Sequence, residues 1–113
     1  MAVERMTPRG RSDYATIPDG DYRKEYALLI GEVHAAAEES DTWTADQRAG
    51  MNEVVQPALT AVRDVDDKLN MRGLLAIRIT EARQAFRQVV GEHWTPRPDN
   101  TVARAAEARG LTL

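Results

Sequence analysis

Two histidines, His34 and His93, are the side chains here best suited to hold a metal or move a proton near neutral pH. Neither has the Glu-x-x-His or His-x-x-x-His neighbours that put two ligands on one helix face. A metal centre would need distant carboxylates to converge, so no metal ligand is assigned. Acids are more numerous: Glu32, Glu38, Glu39, Asp41, Asp64, Asp66 and Asp67. Paired carboxylates do acid–base work only in a concave site that separates their pKa values. Asp64, Asp66 and Asp67 fall at a predicted helix end, and the group reads as a solvated acidic face. Ser12 and Ser40 have no nucleophile context, and no glycine-rich phosphate loop occurs. The chain has no cysteine, which excludes disulfides and thiolate sites. No catalytic residue and no cofactor are assigned, and the expectation is a protein that is not an enzyme.

Arginine offers different chemistry. Arg72, Arg83 and Arg87 lie along one side of a predicted third helix. Arg83 and Arg87 stand four apart and repel unless an anion lies between or opposite them. Internal pairing with carboxylates of the first two helices is the preferred reading; a phosphate-facing strip is the alternative. Near the start of the chain, Pro8-Arg9-Gly10-Arg11 resembles the centre of an AT-hook, an element that lies in the minor groove of A·T-rich DNA. That resemblance implies groove contact by Arg9 and Arg11, with Gly10 allowing close approach. An AT-hook continues with proline, whereas Ser12 and Asp13 follow here. Arginines outnumber lysines 13 to 2, a bias that points to a GC-rich bacterial or phage genome rather than to selected chemistry.

The elements that must position these residues are helical. From Met71 to His93 apolar or ring residues fall at Leu75, Ile79, Ala82, Phe86, Val89 and His93, alternately four and three apart. This heptad stripe predicts a helix enclosed by neighbours, with Leu75 and Phe86 in the core. Leu74, Ile77 and Ala85 form a second flank well around that helix. A first helix starts near Asp21 with the stripe Tyr22, Tyr26, Leu29, Val33 and Ala36; Leu28 lies off the stripe and is free to face a partner. Thr44-Ala45-Asp46-Gln47 fits a capping box. The stripe after it is Met51, Val55, Ala58, Val62, Val65 and Leu69, with Val54 and Leu59 on its flanks. Pro57 predicts a bend in that helix or a break just before it. The phase is lost at Asn70, so Leu69 to Gly73 reads as a tight hairpin. After His93, Pro96 and Pro98 forbid helix. Asp99 or Asn100 then caps a short helix, Thr101 to Arg109, ended by a left-handed Gly110. Its thin apolar side predicts weak docking or service to a partner.

The expected fold is all-α: an antiparallel three-helix bundle with heptad-like packing and crossing angles of roughly 20°. Helices are expected near 21–40, 44–69 and 71–93. The organisation is an extended arm over 1–20, a bundle over 21–93, and a proline-containing linker with a short C-terminal helix over 94–113. With 113 residues, 42% apolar and 29% charged, one soluble domain is expected. The net charge is −3, but residues 13–43 carry −6 and residues 71–92 carry +2, which suggests basic helix against acidic helix. No apolar run is long enough to span a bilayer and no leader is visible, so a cytoplasmic location is expected. The leading functional expectation is a non-enzymatic interaction module. It self-associates or docks into a larger assembly such as a virion or multiprotein particle, through Leu28, Leu74 and Ile77. The alternative is a nucleic-acid-associated regulatory factor using Arg9, Arg11, Arg72, Arg83 and Arg87.

Overall fold

A computed structural model describes residues 22–65 and 72–113. Among these residues the chain is helical and contains no strand. The N-terminal arm with Arg9 and Arg11, the Asp21 cap, the Leu69 end of the second stripe and the Asn70 turn lie outside them.

Helix α1 is Tyr22–Glu38, followed by a 3-10 turn at Ser40–Thr42. Helix α2 occupies 45–64 in three parts: Ala45–Gly50, a π-helical segment Met51–Val55, and Gln56–Asp64. Helix α3 is Arg72–Val90 and helix α4 is Thr101–Ala108. The capping box forms as the sequence predicts. Gln47 N donates to Thr44 Oγ1 at 3.1 Å, and Thr44 N donates to Gln47 Oε1 at 2.8 Å. The Gln47 amide does a second job by donating to the Val89 carbonyl at 3.3 Å, which ties the start of α2 to α3.

Pro57 neither ends α2 nor leaves it an ordinary helix. The ring of a helical proline crowds the carbonyl four residues back, here Glu53. The chain answers with the wide π turn just before it, where Gln56 N donates to the Met51 carbonyl. A wider turn also brings residues four apart more nearly into phase. The buried line therefore runs Met51, Val55, Leu59, Val62 and Val65. This corrects the stripe read from the sequence: Leu59 is core, Ala58 is half-buried, and Val54 is exposed at 49%.

Helix α3 keeps most of its predicted stripe. Leu75, Ile79, Ala82 and Phe86 are buried with Leu29, Val33 and Ala36 of α1. It stops at Val90 rather than at 93, because Gly91 takes a left-handed φ of 109° and its N–H closes on the Arg87 carbonyl at 2.8 Å. His93 thus lies beyond the helix in an exposed turn. Gly110, at φ 88°, ends α4 by the Schellman pattern: Leu111 N donates to Ala106 O and Gly110 N to Glu107 O, each at 2.9 Å.

Gly50 sets the distance between α2 and α3. A Cβ there would stand 2.7 Å from Val89 Cγ2. Val89 is β-branched and stiff, so it yields poorly. Gly50→Ala gains up to about 1 kcal/mol of helix propensity and meets an overpacking cost of about 1–3 kcal/mol. The expected result is a net loss of about 1 kcal/mol in urea denaturation. In a Val89→Ala background the same change should stabilise. A Gly50→Ala protein more stable than wild type would show that the helices are not in close contact there.

Candidate functional site: an apolar helix face and a polar docking cluster

The residues that a sequence reading assigns to partners are scattered. Leu28 on α1 is half-buried. Leu74 on α3 is half-buried and packs against the core, whereas Ile77 is half-buried and stands outside the core cluster. Ile77 is two residues from Ile79, which is fully buried, so it points well away from the core side of α3.

Two arginines of the basic stripe on α3, Arg83 and Arg87, face α1. Arg83 pairs with Glu25, and both side chains are 32% exposed. Arg87 pairs with Glu32 at 3.1 Å, donates to the Trp94 carbonyl at 2.7 Å, and lies 5.5 Å over the Phe86 ring. Glu32 is buried, as a carboxylate can be when it is paired. Arg72 belongs to the first turn of α3, and Arg9 and Arg11 lie outside the described residues. Of the acids, Asp66 and Asp67 lie outside the described residues. Among the described residues no group of three or more His, Asp or Glu is placed to hold a metal, and His34 is exposed like His93.

A cluster not anticipated from the sequence joins α1 to α4. Asn100 is 2% exposed and uses its whole side chain. Its Oδ1 accepts from Ala103 N at 3.0 Å as the helix cap. Its Nδ2 donates to the Ala35 carbonyl at 2.9 Å and to Glu39 Oε2 at 2.7 Å. Glu39 is buried and also accepts from Arg97 N at 2.8 Å, with Arg97 Nε at 3.8 Å. Glu38 accepts from both the backbone N–H (2.8 Å) and the hydroxyl of Thr101. Two carboxylates thus sit on the positive end of α4. The Thr101 hydroxyl, then its backbone N–H, hold the Glu38 carboxyl below its ordinary pKa. The only sequence cue was the cap at position 100; the partner acids lie more than 60 residues away along the chain.

Below this cluster α1 presents a second face at helical spacing: Leu28, Gly31, Ala35 and Glu38. Ala35 is fully buried, and Leu113 Cδ2 lies 3.1 Å from where a Gly31 Cβ would stand. Helix α4 packs against this side of the molecule through α1. Its thin apolar side is supplemented by a full set of charge-assisted hydrogen bonds. A shallow groove of about 180 Å³ runs along the other side of α4, lined among others by Pro96, Arg97, Arg104 and Leu113. No helix among the described residues is long and apolar enough to cross a membrane. Compared with known protein families, with curated proteins and with solved structures, the chain shows no significant match.

Proposed function

We propose that this chain is a non-enzymatic interaction module, cytoplasmic, that self-associates or docks as a small subunit of a larger assembly. Its body in this reading is an antiparallel three-helix bundle. Support for the arrangement comes from α2 and α3: Gly50, early in α2, meets Val89, late in α3, while Val62 shares a small pocket with Leu75. The observation that carries the function is Ile77. A branched apolar side chain half-open to water on the outer side of α3 forgoes part of the roughly 1.5–3 kcal/mol that full burial would give. Leu74 extends the same flank. The nucleic-acid alternative loses support, since Arg83 and Arg87 already have carboxylate partners on α1.

Sedimentation velocity tests this reading. Wild type is expected to exceed monomer mass at high concentration. Ile77→Lys should give a folded monomer, because the new ammonium would stand one turn before Glu81 on a side of the helix that is only half-buried. Leu74 is a poorer probe, since it also touches the core. A wild type that stays monomeric at the highest soluble concentration, with no co-purifying partner, would reject self-association and docking alike.

A further inference from the structure

We propose that the segment after Trp94 is a hinged strap. It is latched across the second face of α1 by the carboxylates of Glu38 and Glu39. It opens as a unit, with α1, α2 and α3 still folded, when the Glu38 carboxylate loses its charge. This stands whether or not Ile77 belongs to an interface.

The hinge follows from where the chain is anchored. Trp94 is fixed: its ring meets Phe86 edge-on at 5.9 Å and its carbonyl is held by Arg87. The next firmly buried residue is Asn100. Between them Thr95, Arg97, Pro98 and Asp99 are exposed and Pro96 is half-buried. Arg97 makes the contacts that cross from this stretch to the body, through its N–H and guanidinium to Glu39. The chain can therefore pivot between two anchors without disturbing the core.

The latch differs in kind from the packing of the other helices. Helices α1 to α3 are joined by an apolar cluster. Helix α4 adds one buried apolar residue, Ala106, with Val102, Ala103, Leu111 and Leu113 half-buried. Its attachment leans on the hydrogen bonds to Glu38, Glu39 and the Ala35 carbonyl. Such bonds are about twice as strong when the acceptor is charged. Arg97 is the cation beside both acids, and Asp99 shares it at 3.9 Å. Along α4 itself Arg104 and Glu107 come about a turn or more after Thr101. The direction with pH follows from Glu38. Its carboxyl is held below its ordinary value in the docked state, so docking is favoured above that ordinary value and the gain is lost as pH falls through the docked one. Opening would uncover Gly31 and Ala35, small residues that let another helix approach closely.

Hydrogen exchange of the full chain, read by mass spectrometry and corrected for intrinsic rates, tests this. In Glu38→Gln/Glu39→Gln, amide protection over 101–108 should fall by about tenfold or more, while amides over 75–86 keep wild-type protection. Wild type should show the same separation as pH is lowered through the carboxylate range, and this arm needs no variant to fold. The double variant should show no further loss specific to 101–108. If 101–108 and 75–86 lose protection together in wild type, α4 belongs to one cooperative unit and the strap is rejected. Unchanged protection over 101–108 in a folded double variant would reject the carboxylates as its latch.

Discussion

Phe86→Ala is expected to lose about 3–5 kcal/mol of stability, the largest effect of any single truncation in the core. The ring has no exposed surface and belongs to the cluster shared by α1, α2 and α3. Two further contacts depend on it. Trp94 meets it at an interplanar angle of 89°, a T-shaped pair worth about 0.5–1.5 kcal/mol beyond area burial. The Arg87 guanidinium lies over its face. Alanine would leave a void that surrounding helices fill only in part, and Trp94 would lose the ring that seats it. Phe86→Leu retains most of the volume and should cost about 1.5 kcal/mol. Guanidinium denaturation followed by tryptophan fluorescence gives both numbers. A domain of this size holds about 5–15 kcal/mol in all, so the alanine variant should sit near the edge of folding. A loss below about 1 kcal/mol would place Phe86 outside the core.

The core was legible because it rests on local spacing. Leu75, Ile79, Ala82 and Phe86 recur at helical intervals, and so do Leu29, Val33 and Ala36; such a stripe has to face inward whatever it meets. The Thr44–Gln47 cap and the Gly110 stop were legible for the same reason: each is completed within a few residues. Misreadings came where a local signal had a rival. Gly91 lies inside an apolar stripe that continues to His93, and its left-handed stop outweighs the stripe. Pro57 was read as a bend or a break just before it, and the stripe was carried across it unchanged, whereas the wide turn before it moves Leu59 inward and Ala58 aside. What could not be read were pairings that exist only after folding. Nothing local distinguishes Glu38 and Glu39, which dock α4, from Asp41 two residues on. Asn100 is a visible helix cap, but its second use, as donor to Ala35 and Glu39, needs α1 beside it. Leu28 was read as free to face a partner because its companions on that face are Gly31 and Ala35. Their small side chains carry little hydrophobic signal yet allow close approach.

Arg87→Ala is expected to cost about 3 kcal/mol, far more than its neighbour Arg83. The two arginines look alike in sequence, four apart and each paired with a glutamate of α1. Their surroundings decide the difference. At the Arg83–Glu25 pair both side chains are 32% exposed, water screens the charges, and Arg83→Ala should cost no more than about 1 kcal/mol. At the second pair the Glu32 side chain is only 10% exposed and Arg87 25%. Deleting the guanidinium strands a nearly buried carboxylate, and that penalty rather than the lost attraction sets the size of the effect. It also removes the donor to the Trp94 carbonyl and the cation over Phe86. The remaining exposure of Arg87 is why the expected value falls at the low end for a buried pair. Arg87→Lys should recover only part of the loss, because one ammonium cannot reproduce a fork aimed at Glu32 and Trp94 at once. Combining Arg87→Ala with Glu32→Gln should restore about 1 kcal/mol or more, since the stranded charge is gone. Denaturation of the two single variants, the double variant and Arg83→Ala completes the cycle. Equal costs for Arg87→Ala and Arg83→Ala would mean that water reaches Glu32 as freely as Glu25, and the buried pair would have to be given up.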